Sequence, residues 1–402
     1  MSAHAPVGVL SFGCRLNLVE SEAMRRAAMA AGERDLVIVN TCAVTAEAVR
    51  QARQAIRRVA RERPQARIVA TGCAVETDRT VFAGMDEIGA IVPNAEKTAP
   101  ATWGLKARPA EAPGIAGHTR GFVAIQNGCD HRCTFCIIPF GRGASRSVPP
   151  AAVVAEVQAL VASGHREVVL TGVDLTSWGA DLPDRPRLGA LVAQILADVP
   201  DLARLRLSSL DVAEIDAALL GAIAGERRLM PHLHLSLQSG NDLILKRMKR
   251  RHLRADAIRL CSEIRRVRPE LVFGADLIAG FPTESEAMFE DTLALVGECG
   301  LTHIHAFPYS PRRGTPAARM PQVAAEVARA RAARLRDAGA AQLARHLDAQ
   351  IGRRITVLTE RGGKGRAEDF TPVKTPGSEP GRLVSGVVAA HDGRALVLRS
   401  SS

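Results

Sequence analysis

Residues 121–136 read GFVAIQNGCDHRCTFC, and two features of that stretch organise the whole chain. Residues 122–126 form a short apolar run of strand type, which delivers the chain into a loop holding Cys129, Cys133 and Cys136. Three residues separate the first two cysteines and two separate the next pair. A loop with this spacing wraps three thiolates around three irons of a cubane cluster and leaves the fourth iron without a protein ligand. An open metal position chelates a small molecule, whereas a fully ligated cluster suits electron transfer. Zinc is the alternative occupant. A structural zinc takes four protein ligands and His131 offers one, although paired CxxC motifs would be the more usual set.

Outward from this loop, strand-like and helix-like runs alternate. The strands fall at 122–126, 167–171, 204–208, 232–238, 272–278 and 303–307, and the helices at 151–163, 188–198, 214–224, 255–267 and 284–298. Such alternation predicts a parallel sheet with crossover helices. Six βα units are too few to close an eight-stranded barrel and suit an open, partial one, with its chemistry at the carboxyl ends of the strands.

The amino-terminal block repeats the pattern: strands at 7–11, 36–39 and 68–70, helices at 16–31 and 46–63. Cys14 in SFGCRLN, Cys42 in NTCAVT and Cys73 in TGC each stand just past one of these strands. A parallel sheet brings such ends to one crevice, so three thiolates distant in sequence can meet. The other reading is three small buried core residues. Cys261 and Cys299 lie within or just after helical patterns and are assigned to packing. Pro93, Pro100, Gly104, Pro109, Pro113, Gly114 and Gly117 then end all periodicity, which reads as a linker with a boundary near residue 117. Beyond the central block, 322–347 is helical by propensity. Residues 351–402 hold β-like runs at 355–358, 383–388 and 395–398 between Gly- and Pro-rich turns, the pattern of a small nucleic-acid-binding β-barrel. The chain therefore reads as α/β with three domains, over 1–117, 118–348 and 349–402.

A chain of 402 residues with 47% hydrophobic and 24% charged residues excludes disorder, a collagen-like repeat and a disulfide-stapled mini-protein. The formal charge of +11 attracts a polyanion. Residues 246–268 hold ten Lys or Arg against Asp256 and Glu263, and 351–402 hold nine basic against five acidic groups. Lys246, Arg247, Lys249, Arg250 and Arg251 are the favoured phosphate contacts, because they follow the strand carrying Ser236 and Gln238; a solvated helix face is the other reading. No secretory signal is expected at the amino terminus, and no apolar run approaches the roughly 18 residues of a membrane span, so the expected address is cytoplasmic. In that reducing compartment eight cysteines are not expected to form structural disulfides.

CxxxCxxC with Phe135 before its last cysteine resembles the radical S-adenosylmethionine (SAM) enzymes. That resemblance implies an open iron chelating the amino and carboxylate groups of SAM, and a reduced cluster that splits the cofactor to give a 5′-deoxyadenosyl radical. It places Phe135 near the adenine, Thr171, Gly172, Val173 and Asp174 beside the methionine amino group, and Ser236 and Gln238 near the ribose. The turn of Gly280, Phe281 and Pro282 would approach the adenine. SFGCRLN, NTCAVT and TGC together with GCDHRCTFCIIPFGRGASRSVP resemble, across essentially the whole chain, the methylthiotransferases. Membership implies an amino-terminal domain with an auxiliary 4Fe–4S cluster on Cys14, Cys42 and Cys73, a partial (βα)6 radical-SAM barrel with a second cluster on Cys129, Cys133 and Cys136, and a small carboxyl-terminal TRAM barrel that grips the substrate.

LTGVDLTSWG, RLRLSSLD, PHLHLSLQSGNDLILKRMKRRH, GADLIAGFPTE and FPYSPRRGTPAARMPQV look most like the branch acting on N6-threonylcarbamoyladenosine (t6A) beside the tRNA anticodon. The implied partners are the tRNA anticodon stem-loop, an electron donor such as flavodoxin or ferredoxin, and a sulfur source. The terminal domain is short and poor in aromatics for the family. The C2–H bond of adenine has no useful acidity, so radical chemistry replaces general-base catalysis, and the base would be extruded from its stack. Branches acting on isopentenyl-type adenosine or on a ribosomal aspartate, a non-catalytic iron-sulfur RNA binder and a zinc-ribbon RNA binder are the other readings.

Overall fold

A computed structural model of the chain describes residues 7–107, 114–115 and 117–399; Pro109 and Pro113 of the expected linker lie outside the described residues. Two compact units are present. The first combines the described residues before Ala116 with Asn127–Arg146 and Ser310–Ala318; the second combines Gly117–Gln126, Ser147–Tyr309 and the described residues from Arg319 onward.

The first unit is built on a parallel sheet in the order β1 (Gly8–Ser11), β2 (Leu36–Thr41), β3 (Arg67–Gly72), β4 (Ala90–Ile91). All six residues of β2 are buried, which explains the apolar run of its first four, Leu36 to Val39: a parallel strand is covered on both faces. Leu36, Ile38 and Val69 pack with Met24, Ala27 and Ala28 of α1 (Arg15–Ala30). Val37, Val39, Ile68 and Ala70 pack with Ile56 and Val59 of α2 (Ala46–Glu62). The start of α2 is fixed by Thr45, whose hydroxyl accepts from the Ala48 amide at 3.1 Å, and its buried residues recur at helical spacing, Ala52, Ala55, Ile56 and Val59. Two one-turn helices follow β3, α3 (Cys73–Thr77) and α4 (Arg79–Ala83), and the inserted segment contributes α5 (Ile138–Arg142).

In the second unit the alternation is β5 (Gly121–Ala124), α6 (Pro150–Ala162), β8 (Glu167–Thr171), α7 (Leu188–Asp198), β9 (Arg204–Leu207), α8 (Ala217–Gly225) and β10 (His232–Gln238). It continues through α9 (Asp242–Met248), α10 (Arg254–Val267), β11 (Val272–Ala279), α11 (Glu286–Glu298) and β12 (Leu301–Pro308). The two-residue strands β6 (Gln126–Asn127) and β7 (Arg146–Ser147) fall where the chain passes between units. Strands β5-β8-β9 and β10-β11-β12 form two parallel sheets, linked by a bridge between Leu210 and Leu235. One apolar core runs behind both. The result is an open barrel of six strands.

After β12, α12 (Ala325–Gln350) packs on that strand, where a Cβ at Gly339 would lie 3.1 Å from Ile304. A closed barrel follows in the order β13 (Arg354–Glu360), β14 (Lys364–Ala367), β15 (Pro372–Lys374), β17 (Leu396–Leu398), β16 (Leu383–His391). Its own small core includes Val357, Val373, Val388 and Leu396. Arg206 ties it to the open barrel, bonding both oxygens of buried Glu167 at 3.0 Å and the Glu368 carbonyl at 3.0 Å.

Candidate metal centre

Because β1, β2 and β3 are adjacent and parallel, Cys14, Cys42 and Cys73 emerge from the same edge of the sheet, each within three residues of a strand end. Two glycines set the approach. Gly13 and Gly72 have φ of +90° and +98°, and a Cβ would stand 2.5 Å from Cys42 Sγ at the first and 2.5 Å from the Thr41 amide at the second. Burial pushes the Cys42 thiol up to about 11, with Cys14 and Cys73 adding to the rise against the Val44 amide and Arg142. The Cys73 thiol is also raised by burial, opposed by Arg142 and Lys97. The three sulfurs thus share one electrostatic environment.

Around them lies a buried charge network that sequence reasoning missed. Glu20 accepts from Arg142 at 2.9 and 3.0 Å and from Lys97 at 2.7 Å. Arg142 also bonds Asn17 and, at 2.7 Å, Asn127, and Lys97 reaches Asn40 at 3.2 Å. Burial works to raise the Glu20 carboxyl, but the two cations win and hold it below its ordinary value. On Lys97 burial outweighs the attraction and the ammonium is pushed down.

Cys129, Cys133 and Cys136 belong to the same unit. Their loop is closed by Cys129 N–H to the Gly143 carbonyl at 3.1 Å and by the Ser145 amide to Asp130 at 3.1 Å. Cys129 is buried; Cys133, Cys136 and Phe135 are half-buried. Cys73 packs against the segment that follows the second trio: Ile137 is buried in one cluster with Cys73, and a Cβ at Gly141 would lie 3.1 Å from Cys73 Cβ. Asn94 donates to both the Gly141 carbonyl and, at 3.9 Å, Cys73 Sγ. Two sets of three thiols, one beside buried cations, fit the donor chemistry of two clusters with an open iron each. Cys261 and Cys299 are buried in the core of the second unit.

Apart from Phe135, the expected cofactor contacts lie at strand carboxyl ends of the second unit. Gln126 Oε1 accepts from the Val173 and Asp174 amides at 3.1 and 2.9 Å, and a Cβ at Gly172 would come within 2.9 Å of the same oxygen; Gln126 therefore shapes the turn after Thr171. Gln238 has φ of +69°, a strained conformation at the end of β10 of the kind that clusters at ligand sites. The Ser236 carbonyl accepts from Arg250 at 2.7 Å. Gly280 N–H donates to Glu284 at 2.8 Å. These fixed polar turns suit a polar cofactor.

Of the basic residues singled out above, Arg250 and Arg251 bond Asp211 at 2.9 and 3.0 Å, and Arg251 also pairs with Glu214. Arg247 donates to the Thr283 hydroxyl at 2.7 Å. Lys246 and Lys249 are exposed. Elsewhere on the inner side of the open barrel, Asp276 accepts from His234 at 3.0 Å and His305 at 3.1 Å. Burial works against its charge, but those two bonds hold the carboxyl well below the usual range.

The family model described as Radical SAM superfamily matches residues 123–296, and that of Uncharacterized protein family UPF0004 matches residues 6–92. A threonylcarbamoyladenosine tRNA methylthiotransferase MtaB from Rickettsia prowazekii (strain Madrid E) is 45% identical, covering 91% of this chain and 90% of that protein. A tRNA-2-methylthio-N(6)-dimethylallyladenosine synthase from Erythrobacter litoralis (strain HTCC2594) is 35% identical over 89% of this chain and 86% of its own length. Among solved structures, the radical S-adenosylmethionine methyltransferase TsrM from Kitasatospora setae matches in fold with a TM-score of 0.54 at 16% identity, covering 75% of this chain and 70% of that one.

Proposed function

The chain belongs to the radical SAM tRNA methylthiotransferases, and from that premise we propose that its substrate is t6A at position 37 of tRNA, which it methylthiolates at C2 with two 4Fe–4S clusters. The observation that carries the choice of base is the 45% identity, over nine-tenths of both chains, to a protein named for that nucleoside, against 35% to one named for the dimethylallyl base.

When bound, the clusters and SAM supply the one-electron chemistry and the sulfur and methyl groups that an unactivated C–H bond requires. The chain's own residues do the holding. Cys14, Cys42 and Cys73 would ligate the auxiliary cluster and Cys129, Cys133 and Cys136 the radical cluster, with Arg142 and Lys97 favouring thiolate at Cys73. Gln126 would hold the turn of Thr171, Gly172, Val173 and Asp174 for the methionine moiety. Ser236, Gln238 and Gly280 would meet the ribose and adenine, and Phe135 would pack beside the adenine. Lys246 and Lys249, exposed at and just past the end of α9, would meet phosphates, and Arg247, Arg250 and Arg251 would brace that segment. In this reading 1–117 is the auxiliary-cluster domain, 118–348 the radical core and 349–402 the TRAM-like RNA-binding domain. A flavodoxin- or ferredoxin-type electron donor and a sulfur source would be the further partners. No helix among the described residues is long and apolar enough to cross a membrane, and a tRNA substrate places the work in the cytoplasm.

Nucleoside mass spectrometry of bulk tRNA from a strain lacking the protein tests the assignment. Methylthiolated t6A should vanish while t6A accumulates. An unchanged level, or loss of methylthiolated isopentenyladenosine instead, overturns it.

A further inference from the structure

On the inner side of the open barrel, β12 presents two rings to solvent. The His305 side chain is 61% exposed and Phe307 is 44% exposed. They share a face, edge to face with centroids 6.3 Å apart. Ile304 and Ala306 turn the other way and pack on the core. Phe140 and Phe307 are the two phenylalanines among the described residues that stand more than a third exposed, and at Phe307 the exposed ring adjoins an imidazole bonded to Asp276.

His305 is anchored. Its Nδ1 meets Asp276, and the same carboxylate oxygen binds His234 Nε2, so two imidazoles are locked with centroids 4.7 Å apart. With Nδ1 engaged, Nε2 is the ring atom directed away from the anchor. Asp276 stands opposite His305, Ile278 opposite Phe307 and Leu277 opposite Gln238 in the ladder. The two rings therefore stand on the same sheet as the residues assigned to the ribose and adenine of SAM.

We propose that Phe307 and His305 hold the target nucleoside, Phe307 stacking on the adenine and His305 Nε2 donating a hydrogen bond to the carboxylate of its threonylcarbamoyl group. The inference rests on the t6A reading above and supplies the residues that read the base. Extruded bases are bound by stacking on aromatic rings, and a carboxylate is the one anionic group that separates t6A from an isopentenyl base. A donor built for that group disfavours a hydrocarbon substituent by being left unpaired.

The test uses the full-length, cluster-reconstituted enzyme with anticodon stem-loop RNA carrying t6A or its methyl ester, and follows methylthiolation and RNA-independent 5′-deoxyadenosine release. His305→Ala should raise KM for t6A RNA about tenfold or more and leave KM for the ester RNA unchanged. Phe307→Ala should raise KM for both RNAs about tenfold, and Phe307→Tyr should restore it. Cofactor cleavage without RNA should be unaffected, which reports an intact fold. A His305→Ala enzyme with unchanged KM for t6A RNA, or with equal losses on both RNAs, overturns the proposal while the wild-type turnover of t6A RNA upholds the substrate reading. A wild-type enzyme inert toward t6A RNA overturns both. Manganese titration followed by electron paramagnetic resonance examines the competing occupant: stoichiometric binding abolished by His305→Ala would make His234, Asp276 and His305 a metal site and overturn the proposal.

Discussion

Replacing Glu20 by Gln removes one charge and almost no volume, yet it should be among the most damaging single changes in the first unit. Glu20, Lys97 and Arg142 are 8%, 1% and 2% exposed in their side chains. One carboxylate serves two cations, through three contacts of 2.7 to 3.0 Å. Breaking a buried pair costs about 3–5 kcal/mol, because the partner stays buried without its counter-charge. Against a domain stability of about 5–15 kcal/mol, such a loss lowers the unfolding midpoint by roughly 6–20 °C. Lys97→Met should cost far less, about 1 kcal/mol or nothing, because burial already outweighs attraction on that side of the pair. Trp103 donates to the Lys97 carbonyl at 2.8 Å, so its fluorescence in a Trp178→Phe background reports this unit during urea unfolding of the cluster-free protein. The pH dependence has a definite sign. The Glu20 carboxyl is held below 4.5 in the fold, so its contribution is present above that value and is lost as pH falls through the lower folded value. The deficit of Glu20→Gln should be constant from pH 6 to 8 and shrink below about 4.5. A deficit under about 1 kcal/mol at neutral pH, or a Lys97→Met deficit as large as that of Glu20→Gln, refutes the reasoning.

Cys73→Ser should reduce iron and acid-labile sulfide in reconstituted protein from about eight to about four per chain, abolish methylthiolation and spare RNA-independent release of 5′-deoxyadenosine; loss of that release would tie Cys73 to the other cluster. In cluster-free protein, a Cys42 thiol raised from 9.0 to about 11 adds stability that is intact below pH 9 and lost as pH climbs toward 11, by about 2–3 kcal/mol. Denaturant unfolding at pH 8 and 10.5 measures it, with Cys42→Ala showing a smaller decline. Phe370 stacks on His232 at 5.1 Å and lies under Arg120, Arg206 and Arg366 at 5.2, 5.0 and 4.7 Å. Phe370→Ala should cost about 3 kcal/mol and hasten limited proteolysis near residue 352; an unchanged cleavage rate would show that the ring does not secure the small barrel.

Parallel strands were legible because a strand covered on both faces reads as an apolar run, and LVIV at the start of β2 is such a run. The positions of Cys14, Cys42 and Cys73 just past three strands were legible from sequence, and the structure makes those strands adjacent and parallel. Short strands such as KGRA and PVK were not, since β14 and β15 have too few residues to display alternation. The helix α9 passed unread because it is a single seven-residue element whose start depends on Asn241 accepting from the Ile244 amide. The charge network was invisible for a different reason. Glu20 and Lys97 are distant in sequence, each ordinary in its local context, and only the fold makes them neighbours. In the 246–251 run, sequence shows the positive charges but not that Asp211 and Glu214 sit against two of them.

The purpose of a buried cation pair around a single carboxylate can be argued from charge balance. If the network only joined elements, equal numbers of each sign would serve, and an apolar replacement would serve better still. Here the excess is positive, and it stands beside thiols that would become negative as ligands of the proposed auxiliary cluster. Iron binds thiolate, and in that proposed site a Cys42 thiol pushed up to about 11 would lose its proton at a pH about four units lower, a cost of roughly 5 kcal/mol. Arg142 acts against that cost at both Cys42 and Cys73, and Lys97 at Cys73; the guanidinium cannot give up its proton. On the proposed ligand set the network serves the site first and the fold second. Lys97→Met should leave unfolding nearly unchanged and still weaken the auxiliary cluster, seen as iron lost several-fold faster to a chelator. Equal chelation rates in the two proteins would reduce Lys97 to packing.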